Sequence, residues 1–164
     1  MAKEKIEKKS PVMKEYKVLV AVDFSPCSAH ALKRSKRILG RKPDRIFVLH
    51  VIDRDFIEAY ISNRLGSESH IKKTLFVDAK EKLKKFLEDQ TMTNSSIETE
   101  VCEGTPFLEI NKKALENDID IVIMGTQGTS GDLKNIFFGS TTERVLRFIK
   151  RPVLCVPIEE DRKE

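Results

Sequence analysis

The chain has 164 residues, of which 40% are hydrophobic and 34% charged, with a formal net charge of +4. This length fits one domain with a full hydrophobic core. No run approaches the ~18–20 apolar residues of a membrane helix. The lysine-rich start has no apolar core, so we expect no secretory signal and a cytoplasmic protein.

The positive charge is concentrated at the N-terminus. Residues 1–14 hold five Lys and two Glu, which leaves +1 for the rest of the chain. Proteins that bind nucleic acid concentrate Lys and Arg on one face, with aromatic residues nearby, whereas this chain has no Trp and two Tyr. We therefore expect no nucleic-acid partner. We predict a disordered arm over 1–15, one α/β domain over 16–158 and a charged tail over 159–164.

Cysteines and histidines show no metal or disulfide pattern. The cysteines are odd in number, far apart and without a CxxC pair, which predicts reduced thiols at Cys27, Cys102 and Cys155. The histidines lack ligand-like spacing, which predicts surface or core positions for His30, His50 and His70.

The first predicted strand covers residues 17–22, a continuous apolar run typical of a parallel strand covered on both faces. It ends at Asp23. Ser25 and Pro26 then have the residue types of a helix N-cap and of a first helical position, which predicts a helix up to Gly40.

The second predicted strand covers residues 45–52. A connection over 53–71 follows, with a short helix in it and a break at 66–69. The long helix after this connection has an apolar stripe from Leu75 to Leu87, and its lysines point away from that stripe.

The third predicted strand, residues 97–102, alternates and is expected to be half exposed. Thr105 and Pro106 repeat the cap-then-proline start, for a helix that runs to Asn117. The fourth strand covers 119–124 and is followed by a glycine-rich segment.

A last helix opening at Ser140 and a last strand, Val153–Val156, complete the order β-α-β-α-β-α-β-α-β. Strict alternation implies an α/β fold of Rossmann-like type, a single open five-stranded parallel sheet with helices on both faces. Such sheets bind ligands at the carboxyl ends of the strands, where the winding reverses. If strands 1 and 4 are central neighbours, Asp23 and Gly125 face each other there.

The glycine-rich segment predicts a phosphate cradle. Four of the seven glycines fall within 15 residues, at Gly125, Gly128, Gly131 and Gly139. Glycine lets backbone N–H groups approach an anion, and the helix start at Ser140 adds a partial positive charge. The alternative is a plain surface loop, with Ser140 and Glu143 as a capping box. Neither GxGxxG nor GxxxxGK[ST] is present, so we do not expect Walker-type hydrolysis.

Asp23, at the end of the first strand, has two interpretations. Its carboxylate is able to start the first helix through a local turn, with or without a ligand. The same carboxylate is also able to accept hydrogen bonds from a ribose or an adenine edge. The sequence leaves both open.

Three motifs in order resemble the universal stress protein family, over about residues 16–158. They are Val22-Asp23-Phe24-Ser25, Leu49-His50-Val51-Ile52, and Ile123-Met124-Gly125-Thr126-Gln127-Gly128 followed by Gly139-Ser140. The resemblance implies the fold above, of the adenine nucleotide alpha hydrolase-like type. For the ATP-binding branch it implies ATP, with or without Mg²⁺, as the ligand.

The same resemblance assigns the binding residues. Asp23 would contact the ribose or the base, and Ala21 and Val51 would flank the adenine. The ribose and phosphates would be held by Gly125, Gly128, Gly139, Ser140 and Thr141. Met124, at the end of the fourth strand, is also expected among the binding residues.

One departure from the ATP-binding pattern concerns loop length. The family's ATP-binding branch has nine residues between G-x-x-G and G-[S/T], whereas ten, 129–138, lie between Gly128 and Gly139 here. The extra residue falls near Gly131 and Asp132. An insertion at a loop tip can bulge outward and leave both anchors in place, although an inward Asp132 would weaken anion binding.

Three functions remain open. The favoured one is an ATP-binding universal stress protein that acts as a nucleotide-dependent regulatory module, with at most slow hydrolysis. The alternative is a dimeric interaction module of the same family that binds no nucleotide. An ATP-dependent ligase or sulfurtransferase is disfavoured, because the chain has no SGGxDS-type loop and no cysteine pair.

The last strand predicts a homodimer. Val153–Val156 is short, apolar and expected at a sheet edge, which invites pairing with another chain. In the family that the sequence resembles, this strand pairs antiparallel across a two-fold axis. The alternative is an edge covered by the chain's own helices.

Overall fold

The structure, a computed structural model, describes residues 15–38, 44–63, 67–92, 96–128 and 138–158. The described residues form five strands, β1 Tyr16–Ala21, β2 Asp44–Asp53, β3 Ile97–Gly104, β4 Ile121–Gly125 and β5 Val153–Val156. They also form five helices, α1 Pro26–Ile38, α2 Arg54–Ser62, α3 Glu68–Asp89, α4 Pro106–Glu116 and α5 Ser140–Phe148. The predictions for residues 1–14, for the tail 159–164 and for Gly40, Gly131 and Asp132 lie outside the described residues.

The five strands form one sheet in the order β3-β2-β1-β4-β5, and every neighbouring pair is parallel. The chain builds outward from β1 to β3 and then crosses to the other side of β1. The winding therefore reverses between β1 and β4. Ala21 pairs in register with Met124, so Asp23 and Gly125 lie at the same end of the sheet. The predicted five-stranded parallel sheet is confirmed.

Helices cover both faces of the sheet, as expected. On one face Val18, Val20 and Ile123 pack in one buried cluster with residues of α1 and α3. On the other face Leu19 and Val122 pack with residues of α4 and α5. Successive strand residues point to opposite faces, so each continuous apolar run supplies both clusters at once.

Several element boundaries differ from the prediction by one or two residues, and two of them have a clear local cause. Helix α3 begins at Glu68, inside the predicted break, because the Ser67 hydroxyl accepts a hydrogen bond from the His70 N–H and caps the helix. Strand β4 begins at Ile121, two residues late. The Ile119 N–H donates to the Ala114 carbonyl and so belongs to the end of α4.

Among the described helices, none is long and apolar enough to cross a membrane.

Candidate functional site

A cleft of about 520 Å³ opens at the carboxyl ends of β1, β2 and β4, where the winding reverses. Its size falls in the ordinary range of small-molecule sites. All nine residues predicted to bind a ligand line it: Ala21, Asp23, Val51, Met124, Gly125, Gly128, Gly139, Ser140 and Thr141. The fold therefore gathers in one place residues that are up to 120 positions apart in the chain.

One wall of the cleft is apolar. It consists of side chains at the ends of the strands together with Pro106 and Ile110 of α4. Leu49 and Val51, two residues apart on β2, point to the same face and both line the cleft. This wall is able to receive a flat apolar group such as a nucleobase.

The structure confirms that the Asp23 carboxylate makes the local turn that starts α1. One carboxylate oxygen, Oδ1, accepts a hydrogen bond from the Ser25 N–H at 3.0 Å. Ser25 in turn caps α1, because its Oγ accepts from the Ser28 N–H at 3.1 Å. The carboxylate nevertheless lines the cleft, with Oδ2 toward Gly128. Its contact with a ligand stays a prediction.

The three described glycines of the predicted phosphate cradle have different structural roles. A Cβ added to Gly125 would lie 2.6 Å from the Cβ of Cys27, so this glycine lets the end of β4 pack against α1. A Cβ added to Gly128 would lie 2.7 Å from Asp23 Oδ2, and one added to Gly139 would lie 3.3 Å from the Gly128 nitrogen. Gly128 thus keeps space beside the Asp23 carboxylate, and Gly139 lets the start of α5 come close to the Gly128 backbone.

Hydrogen bonds fix the two ends of the glycine-rich segment. The Gly139 N–H donates to the Thr126 carbonyl at 2.8 Å. The Thr126 N–H donates to the Val156 carbonyl at 3.0 Å. The start of α5 is therefore tied to the ends of β4 and β5.

The capping box at Ser140, which was the alternative interpretation of this segment, is not formed. The N-cap of α5 is Gly139, which has no side chain to cap with, and Ser140 is the first helical residue. The side chain of Glu143 pairs instead with Arg147, one turn further on. Ser140 and Thr141 both line the cleft. Since the first N–H groups of a helix have no partner within the helix, the start of α5 can offer them to an anion.

The sequence analysis did not assign several of the lining residues to the site, among them Thr142 and Asp53. Thr142 is buried, and its hydroxyl donates to the Gly125 carbonyl at 2.9 Å, which joins α5 to β4. Asp53 ends β2 and caps α2, with its Oδ1 accepting from the Asp55 N–H at 2.9 Å. A carboxylate directly after a predicted strand, as at Asp23, was the available signal for Asp53. Asp23 and Asp53 are the charged residues in the described lining of the cleft.

His50 lies just behind the cleft and is half-buried. Its Nδ1 is 2.9 Å from the Val22 carbonyl oxygen, and its ring centroid is 4.3 Å from that of Phe24. Burial lowers the pKa of His50, and the positive charge of Lys82 lowers it further, against the opposing effects of the Val22 hydrogen bond and Asp23. The imidazole is therefore held in its neutral form near neutral pH.

Within the part of the chain that the structure describes, no three His, Cys, Asp or Glu side chains are grouped for a metal.

The model of the universal stress protein family matches residues 16–157. The chain belongs to the universal stress protein family. Universal stress protein MJ0577 of Methanocaldococcus jannaschii is 32% identical over 152 residues, which cover 85% of this chain and 93% of that protein. The solved structure of MJ0577 superposes with a TM-score of 0.75 and covers 89% of this chain and 98% of its own.

Other universal stress proteins share the fold at lower identity. One, solved in complex with cAMP, is 20% identical with a TM-score of 0.59, over 88% of this chain and 98% of its own. Another, from Archaeoglobus fulgidus and solved in complex with dAMP, is 21% identical with a TM-score of 0.56, over 87% of this chain and 98% of its own. The resemblance and the fold class inferred from the sequence are both confirmed.

Proposed function

We propose that this universal stress protein binds ATP in the cleft and acts in the cytoplasm as a nucleotide-dependent regulatory module of a stress response. The observation that carries the proposal is that all nine predicted residues line one cleft at the point of reversed winding. Two proteins of the same fold hold adenine nucleotides, cAMP in one and dAMP in the other. Those complexes support the fold's capacity for such ligands.

The chemistry of the cleft suggests how ATP would lie. The adenine would rest on the apolar wall between Ala21 and Val51. Asp23 would accept a hydrogen bond from the ribose. The phosphates would meet the backbone N–H groups at Gly128 and at the start of α5, where the helix dipole favours negative charge.

The two carboxylates of the cleft suggest that ATP would bind together with a metal ion. Asp23 and Asp53 repel a bare triphosphate, whereas Mg²⁺ prefers oxygen ligands and usually binds through one or two carboxylates together with phosphates. Carboxylate oxygens in the lining would therefore suit ATP bound as its Mg²⁺ complex better than bare ATP. The metal would supply charge neutralisation, and the chain's own residues would orient the nucleotide.

A regulatory role fits this site better than rapid catalysis. The chain has no lysine of the Walker type, so hydrolysis would be slow at most. The output of nucleotide binding would be a change in shape or in partner contacts. Homodimer formation through β5, which is the last strand of the sheet, belongs to the same proposal.

The test starts from purified protein. Denaturation should release an adenine nucleotide, identified by chromatography, or stripped protein should bind Mg-ATP in calorimetry. At a free ligand concentration of 100 times Kd, bound ATP should stabilise the fold by about 2.7 kcal/mol. If the wild type releases no nucleotide and is not stabilised by millimolar Mg-ATP, the nucleotide-free interaction module replaces this proposal.

A pair of variants makes the test specific. Gly128→Val places a side chain against the Asp23 carboxylate and should abolish stabilisation by ATP while the far-ultraviolet spectrum stays unchanged. Ala59→Val places the same final side chain at an exposed position of α2 and should respond to ATP as the wild type does. Normal stabilisation of Gly128→Val would refute the placement of the phosphates.

A further inference from the structure

His50 lies on the face of the sheet opposite the cleft. Its neighbours in the chain, Leu49 and Val51, line the cleft, and strand residues alternate between faces. Its ring therefore cannot touch a ligand held against that wall. Because a carbonyl oxygen only accepts, the 2.9 Å contact with Val22 means that His50 Nδ1 carries the hydrogen and donates it.

Both backbone polar groups of Val22 are thus bound to β2. The Val22 carbonyl accepts from the His50 side chain, and the Val22 N–H donates to the Leu49 carbonyl at 2.9 Å. This holds the backbone directly before Asp23.

The residue directly after Asp23 is held as well. Phe24 has φ of 66°, a left-handed conformation that residues other than glycine rarely adopt. Its ring packs on that of His50 and meets Phe86 of α3 edge-on at 5.6 Å. The Lys82 Nζ lies 4.4 Å from the centre of the same ring. Packing against these three side chains stabilises the left-handed backbone conformation of Phe24.

We propose that His50 is a positioning residue for the cleft: its hydrogen bond to Val22 and its contact with Phe24 hold the backbone on both sides of Asp23, so that the carboxylate faces Gly128 and the ligand. This inference rests on the proposed binding of ATP. It gives a role to a histidine that contacts no ligand, and it makes the rear face of the sheet part of the binding machinery.

Three substitutions of His50 separate its contributions. His50→Leu removes the donor and the ring, and His50→Phe keeps a ring but removes the donor. His50→Asn places an amide N–H close to the position of Nδ1 and keeps the donor. We expect affinity for Mg-ATP to fall about tenfold or more in the first two and to stay within about threefold in His50→Asn. His70→Leu, an exposed site on α3, should bind as the wild type does.

A double-mutant cycle tests whether His50 acts through Asp23. In an Asp23→Ala background, His50→Phe should cost little further affinity, because the side chain that it positions is gone. Melting temperatures measured alongside report any loss of stability separately. A merely structural histidine would lower the melting temperature and leave the affinity of the folded protein unchanged.

The outcomes are distinct. Wild-type affinity in folded His50→Phe, or an equal loss with and without the Asp23 side chain, overturns the inference and leaves ATP binding in place. If the wild type itself binds no adenine nucleotide, the proposed function fails, and the inference fails with it.

Discussion

The half-buried imidazole of His50 links proton binding to stability. Burial lowers its pKa in the folded protein below the ordinary value of 6.5. As the pH falls below about 6.5, the unfolded chain therefore binds a proton first, and the free energy of unfolding decreases. This part of the stability is complete above pH 6.5 and is lost as the pH falls toward the lowered pKa.

Denaturant unfolding between about pH 5 and pH 8 measures this dependence. The wild type should lose stability over the acid part of the range more steeply than His50→Asn, which has no imidazole to protonate. Identical pH profiles for the two proteins would contradict burial as the cause of the shift.

The thiol of Cys102 should be unreactive in the folded protein. Burial, with a smaller effect of Glu109 and Glu100, raises its pKa from 9.0 to about 11. Because the thiolate is the reactive form, alkylation by iodoacetamide near pH 8 should be roughly a hundredfold slower than for an ordinary thiol. Mass spectrometry of native and unfolded protein gives the comparison. Equal labelling in both states would contradict the shift.

At the scale of the elements, Gly125 sets how closely β4 packs against α1. A Cβ there would lie 2.6 Å from Cys27 Cβ and 3.0 Å from its backbone carbon, so a helix would have to move. We expect Gly125→Ala to lower the free energy of unfolding by about 1–3 kcal/mol, as measured with denaturant. Gly139→Ala is the matched control, since its nearest contact would be 3.3 Å and its loss should be smaller. The reverse order of the two losses would refute this role.

The bond between Thr142 and the Gly125 carbonyl joins α5 to β4. Thr142→Val keeps the shape of the buried side chain but leaves that carbonyl without its hydroxyl donor. We expect a loss of about 1–3 kcal/mol in the free energy of unfolding. Thr141→Val, one position earlier in the same helix, is the control for helix propensity. Equal losses would show that the hydrogen bond contributes nothing.

Local patterns in the sequence predicted the elements well, because strand and helix periodicities are properties of short segments. The predictions failed where contacts between residues far apart in the chain determine the structure. The predicted start of the fourth strand at Ile119 was wrong, because its N–H is used to end α4. Ser140 looked like a cap, yet Gly139 occupies that position. Neither the Thr142 bond nor the His50 bond leaves a local pattern, since each joins residues 17 or more positions apart.

At the scale of the whole molecule, the two edges of the sheet differ. The outer strand β3 carries exposed Glu98 and Glu100, and charges of this kind discourage pairing with another chain. The other edge, β5, presents the uncharged residues Val153–Val156. This asymmetry supports pairing of two copies through β5.

The dimer prediction is tested by placing a charge on each edge in turn. Wild-type protein should have about twice the chain mass of 18.8 kDa in light scattering. Cys155→Lys should give monomers with unchanged secondary structure, because in the predicted pairing of two β5 strands each copy would bring a lysine to the shared edge. Thr99→Lys on β3 should remain a dimer. A monomeric wild type would refute the prediction directly.

The hydrogen bond between the Gly139 N–H and the Thr126 carbonyl has a consequence for engineering. Gly128 and Gly139 lie close together, and the Gly139 N–H is bound to the Thr126 carbonyl. The ten residues between Gly128 and Gly139, in place of nine, therefore change the length of the connection and not its two anchors. For a flexible loop, each doubling of length adds only about 0.6 kcal/mol to the entropic cost of closing it. A reporter peptide inserted between these two anchored glycines should therefore report on the proposed binding of ATP in the cleft.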